Sequence, residues 1–76
     1  MLTKIKALRM RTGLKQREFG ELLGLDRRYY TRFENGTQSI PEKYWASIAD
    51  NLGVKIEDII DTITGYAILE EEVEND

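Results

Sequence analysis

The sequence predicts an all-α domain of five short helices. Apolar residues recur at spacings of three and four, as in Ile5 and Leu8, then Phe19, Leu22 and Leu23, then Trp45, Ile48, Ala49 and Leu52. Glycines at 13, 24, 36 and 53 follow these runs where helix stops are expected. No segment alternates convincingly with the period of two that a half-buried strand requires.

The first helix is expected from about Leu2 to Arg11, ended by Thr12-Gly13, and the second from about Gln16 to Leu23, closed by Gly24. Asp26 is a good N-cap for a third helix running to Glu34, because its carboxylate can accept the free amide hydrogens of the first turn. Asn35-Gly36 stops that helix, and Gly36 to Ser39 reads as a loop. Ser39-Ile40-Pro41-Glu42 matches a capping box, with Pro41 in the first turn of a fourth helix from about Ile40 to Asn51. Lys55 to Ile60 suggest a short fifth helix. Thr62 to Leu69 carries β-formers on both sides of Gly65 and reads as either a strand or a helix continuation. Glu70 to Asp76 is acidic, with Val73 its one apolar residue, and is expected to be a frayed tail.

Seventy-six residues without Cys or His leave no disulfide, thiol nucleophile, imidazole base or common zinc ligand. No enzyme constellation is present: Asp50, Asp58 and Asp61 are helix-surface acids with no base, nucleophile or phosphate loop beside them. No cofactor or metal is expected. Apolar runs are too short to cross a bilayer and the start lacks a signal-peptide core, so a cytoplasmic protein with no membrane role is expected. The net charge of -3 hides an asymmetry. Residues 1 to 45 hold ten Lys and Arg against five acids, whereas residues 46 to 76 hold Lys55 against nine acids. That division hints at a polyanion-binding part joined to an acidic part, the alternative being ordinary solvated surface.

Only Gly24-Leu25-Asp26 separates the second and third helices. So tight a turn makes them cross steeply and projects the third outward, a geometry suited to a groove about 12 Å wide. Gly20 lies at the crossing, where a side chain would hold the backbones apart; this explains a residue that normally costs a helix about 1 kcal/mol. On the third helix Tyr30 and Phe33 share the inward side, leaving Arg27, Arg28, Thr31 and Arg32 outside. Guanidinium groups there suit DNA, matching guanine O6 and N7 as well as phosphate, although three Arg in a short helix also describe a plain basic face.

From Ile5 to Ile60 the chain resembles the Cro and phage-repressor type of helix-turn-helix domain, the xenobiotic response element-like family. The fragments Ile5-Lys6-Ala7-Leu8-Arg9, Gly13-Leu14-Lys15-Gln16, Leu23-Gly24-Leu25, Phe33-Glu34-Asn35-Gly36 and Ile48-Ala49-Asp50-Asn51-Leu52-Gly53-Val54 fall in the family's order and spacing. The resemblance implies a compact, lambda-repressor-like five-helix fold that binds double-stranded DNA as a transcriptional regulator, a repressor foremost. It implies that Gln16 touches a phosphate and braces the reading helix, that Arg27, Arg28 and Thr31 read bases, and that Arg32 lies near the flanking backbone. Asn35, Thr37 and Gln38 fall in a loop that meets phosphates, and Lys43 is expected to strengthen binding uniformly. Arg9 and Glu34 match an ion pair between helices one and three. The sequence also departs from the family. Lys15 replaces a Ser or Thr cap, so that helix two frays or Lys15 itself reaches a phosphate. Tyr29 replaces a small residue and either meets the sugar-phosphate edge, touches a thymine methyl or lies on the protein. Tyr30 replaces a branched aliphatic residue.

Relatives bind palindromic operators as dimers, which predicts a homodimer. Residues 1–61 are expected to form the DNA-binding domain and 62–76 an extension. Among the residues after helix four, Ile59, Ile60, Ile63, Tyr66, Ile68 and Leu69 supply either an interface or the last of the core. The alternative function is an antitoxin whose C-terminal segment covers a basic toxin while the helix-turn-helix controls its own operon.

Overall fold

The computed structural model describes residues 2–70. Its helices are α1 (Lys4–Thr12), α2 (Gln16–Leu22), α3 (Arg27–Glu34), α4 (Trp45–Leu52) and α5 (Ile56–Ile59), with a 3-10 turn at Glu42–Tyr44 leading into α4. The C-terminal tail beyond Glu70 expected to fray lies outside the described residues.

Local chemistry sets most of the boundaries. α1 starts two residues later than expected because the Thr3 hydroxyl accepts the Lys6 amide and makes Thr3 the N-cap. Asp26 caps α3 by accepting from the Arg28 amide at 3.3 Å. At α2 the Glu18 carboxylate takes the Lys15 amide at 2.9 Å, so a cap exists although the Lys15 side chain has no acceptor to complete the reciprocal bond.

The capping box expected at Ser39 to Glu42 does not form. Pro41 is extended, with ψ 139°, and precedes the 3-10 turn instead of opening a helix. The cause is tertiary. Ile40 is buried, its amide donates to Gly65 O at 2.8 Å, and its carbonyl accepts the Trp45 indole N–H at 2.7 Å. With both main-chain groups committed to distant partners, Ile40 cannot enter helix four.

The core joins Ile5 of α1, Phe19 of α2, Tyr30 and Phe33 of α3, Ile40, Ile48 and Ala49 of α4, and Ile59 of α5. Each fully buried large apolar side chain contributes about 1.5–3 kcal/mol. α2 packs chiefly on α3, while α1 packs on α4 and α5. Residues 62–69 are neither a strand nor a helix. A turn at 62–64 reverses the chain, Ile60 pairs with Ala67 and Thr3 with Leu69 as isolated antiparallel bridges, and the Lys4 amide donates to Ile68 O at 2.8 Å. This return divides the apolar set considered for an interface. Ile59 and Ile60 belong to the core and cannot serve a surface, whereas Ile63, Tyr66 and Leu69 are exposed.

Candidate nucleic-acid interface

The four-residue connection between α2 and α3, one residue longer than expected because α2 ends at Leu22, is held at its root by Gly20, whose carbonyl accepts the Leu25 amide at 2.8 Å. A Cβ at Gly20 would stand 3.3 Å from Leu25 O and 3.4 Å from the Tyr30 Cβ, a tight but not prohibitive fit. Gly24 turns the chain with φ +72°, and Leu25 drops into the core. α3 therefore buries Tyr30, Phe33 and Glu34 and turns its other side to solvent.

Gln16, Arg27, Arg28, Thr31 and Arg32 line one shallow groove on that outward side. Lys15, Gln16, Arg17 and Arg27 line a second, next to it at the start of α2. Arg17 was not singled out from the sequence; its place at the second position of α2, one residue after Gln16, was the available signal. The basic groups remain free for a ligand. Arg28 meets Asp26 only at 4.0 Å with both side chains mostly in solvent, and Arg17 meets Glu21 likewise. Such exposed pairs hold a side chain weakly.

Beneath this face sits a buried carboxylate. Glu34 Oε2 accepts Arg9 Nε at 2.7 Å and the Tyr30 hydroxyl, and Oε1 accepts Arg9 Nη2 at 3.1 Å and Gln16 Nε2 at 3.0 Å. Arg9 Nη1 also donates to Leu14 O at 2.6 Å, tying the α1–α2 loop to the same point. The hydrogen bond to Glu34 holds Arg9 more firmly protonated than a free guanidinium. Burial, together with the bond to Glu34, raises the Tyr30 phenol above its ordinary value. Thr3 donates its hydroxyl to the Glu34 carbonyl, so the last turn of α3 is fixed through both side chain and backbone. The spacing of four between Tyr30 and Glu34 was the sequence signal for their bond.

Gln16 links this buried cluster to the surface. One amide hydrogen serves Glu34, the other has no partner among the described residues, and its Oε1 lies 3.4 Å from the Thr31 hydroxyl, which itself donates to Arg27 O at 2.7 Å. Tyr29 stands apart from the groove, 37% exposed and resting on Phe33 with ring centroids 4.8 Å apart. In the loop after α3, Asn35 is exposed, and the Thr37 amide and hydroxyl both bond Arg32 O. Gln38 is half-buried. Lys43 lies outside both grooves, its ammonium 5.2 Å from the centre of the Tyr44 ring.

A packed α2–α3 pair joined by a short turn, with a cationic outer helix on a core of five short helices, defines a DNA-binding helix-turn-helix domain. The helix-turn-helix family model matches residues 5–59, and the chain belongs to that family, of the Cro and phage-repressor type. Among solved structures the fold is similar to that of the clp gene regulator ClgR from Corynebacterium glutamicum, with a TM-score of 0.64 and 24% identity. That match covers 71% of this chain and spans 57% of the other. No match was found among curated proteins. Among the described residues no helix is long and apolar enough to cross a membrane.

Proposed function

We propose that this protein is a sequence-specific transcriptional repressor that binds a palindromic operator in the cytoplasm as a homodimer and reads the major groove with α3. The observation that carries this reading is the single groove lined by Gln16, Arg27, Arg28, Thr31 and Arg32, which gathers three guanidinium groups on the protruding helix and includes no carboxylate. Arg28 and Arg27 reach base edges, Thr31 sits at their base, and Arg32 and Lys15 meet the flanking phosphates. Gln16 clamps the backbone with its unused amide hydrogen while Glu34 holds the other. Dimerisation places two such helices in successive turns of the groove, about 34–36 Å apart.

Selection of bound sequences from a random duplex pool, followed by titration of the winner, tests the reading. A palindrome is expected, with binding that weakens steeply as salt rises. Arg28→Ala should relax preference at one base position in each half-site at a cost of about 1–3 kcal/mol. Failure to enrich any sequence, or an unchanged preference in Arg28→Ala, removes base reading by Arg28.

A further inference from the structure

Tyr30 stands where the family carries a branched aliphatic residue, so its hydroxyl is an addition particular to this chain. The ring is clamped between helices: its centroid lies 5.4 Å from that of Phe19 on α2, and its Cβ faces the Gly20 backbone at the crossing. The phenol is thereby aimed at Glu34, and both side chains are fully buried. A carboxylate paired with a guanidinium only accepts, and this one receives two donors on each oxygen. Arg9 Nε and the Tyr30 hydroxyl share Oε2, while Arg9 Nη2 and Gln16 Nε2 share Oε1. Tyr30 and Gln16 thus hold opposite ends of one group, with Arg9 between them. Among the described residues no buried side-chain nitrogen or oxygen is without a partner.

Of the donors to this carboxylate, Gln16 alone also lines the outer groove. Because Glu34 offers only acceptors, Gln16 turns its nitrogen inward and sets its oxygen 3.4 Å from the Thr31 hydroxyl. The second hydrogen on that nitrogen is the donor that meets backbone phosphate in the function proposed above. We propose, resting on that reading, that the Tyr30 hydroxyl is a positioning group for DNA binding: by filling Oε2 it keeps Oε1 on Gln16, and so fixes the amide that grips phosphate. Tyr30 itself never touches DNA. With the phenol gone, a lone pair of Oε2 faces the edge of an apolar ring. An unfilled acceptor is costly in a buried site, so the carboxylate turns or takes up water, and Oε1 leaves Gln16. Binding must then order the Gln16 side chain afresh.

The test combines Tyr30→Phe with Gln16→Ala on the selected duplex, at a temperature where circular dichroism shows every variant folded. Tyr30→Phe should weaken binding about three- to tenfold without changing base preference. Gln16→Ala should weaken the wild type by a similar factor but the Tyr30→Phe background by less than about twofold, because the contact has already been lost there. In nuclear magnetic resonance spectra of the free protein, the Gln16 amide proton bonded to Glu34 should stand apart from its twin and exchange slowly; in Tyr30→Phe both should take the values of a solvated glutamine. Loss of packing alone lowers the melting temperature and leaves both readouts as in the wild type. If Tyr30→Phe does not fold, Tyr30→Leu takes its place with the same expectations. The proposal fails if the Gln16 signature survives loss of the hydroxyl, if Gln16→Ala binds as the wild type does, or if the two substitutions act additively. Any of these, beside an Arg28→Ala variant that has relaxed base preference, rejects the role of Tyr30 and leaves the DNA reading intact. A wild type that enriches no sequence removes both.

Discussion

Arg9 grips Glu34 with two nitrogens, Nε at 2.7 Å from Oε2 and Nη2 at 3.1 Å from Oε1, across 25 residues of chain. The Glu34 side chain is wholly inaccessible and that of Arg9 is 9% accessible. Removing one partner of a buried pair costs more than the pair itself is worth, because the survivor keeps its desolvation penalty. Glu34→Gln also turns an amide toward the donors of Arg9 and Gln16. It should destabilise the domain by about 3–5 kcal/mol, enough to lower the melting temperature by more than about 10 °C. Thermal denaturation followed by circular dichroism measures this, and a loss under 1 kcal/mol would mean the pair is solvated.

Stability should also fall in alkali through Tyr30. Its phenol is held above the ordinary value of about 10 by burial and by its bond to Glu34, so the unfolded chain releases this proton first as pH rises. The stabilisation is complete below about pH 10 and is lost above it, by about 1.4 kcal/mol per pH unit. Tyr30→Phe should be less stable at neutral pH and show a shallower decline between pH 10 and 11. Urea midpoints measured at four pH values compare the slopes, and equal slopes would exclude Tyr30 as the source.

At Gly20 two effects oppose each other. Alanine gains about 1 kcal/mol of helix propensity but sets a methyl 3.3 Å from Leu25 O, a carbonyl in a turn that Gly20 itself anchors. Gly20→Ala should therefore stay within about 1 kcal/mol of the wild type. Gly20→Val adds two methyl groups at the same crowded point and should cost about 2 kcal/mol or more. Equal stability of the two variants would show that the α2–α3 crossing has slack.

The proposed homodimer is best tested at Ile63, which is 93% exposed. The turn presenting it is firm: Asp61 Oδ1 accepts the amides of Ile63 and Thr64, and Gly65, at φ +80°, donates to Asp61 O and accepts from Ile40. Ile63→Asp should leave stability within about 0.5 kcal/mol and shift sedimentation from dimer to monomer. A persisting dimer moves the interface elsewhere. Loss of a co-purifying basic protein with self-association intact would favour the antitoxin reading. Truncation at residue 62 is the poorer test, since it also strips Ala67 from the core and Ile68 from its bonds to Lys4 and Ile59.

Most of the fold was legible because the helices obey local rules: apolar spacing marks the buried faces, and Gly13, Gly24 and Gly53 end helices or turns with positive φ. The orientation of α3 was equally legible, since Tyr30 and Phe33 fix its inward side and leave the arginines outward. What escaped was set by distant partners. Ser39 to Glu42 looks like a helix start, but Ile40 is bonded to Gly65 and Trp45, residues that no local window joins. Thr62 to Leu69 was undecidable because its conformation depends on pairing with residues 3 and 60. Along the outer groove, Gln16 and the arginines announced themselves by type and position. The packing of Phe33 between Tyr29 and Tyr44 did not, because Tyr44 becomes relevant only once α3 and the 3-10 turn pack together.

The pairing of Thr3 with Leu69 has an engineering consequence. Paired antiparallel residues lie only about 4.5–5.5 Å apart, so the incoming and outgoing chains at residues 2 and 70 run side by side. The whole unit is therefore suited to insertion into a surface loop of an unrelated host, whose severed ends need to separate by little more than one residue's length. Its cationic helix would then be displayed like a cassette.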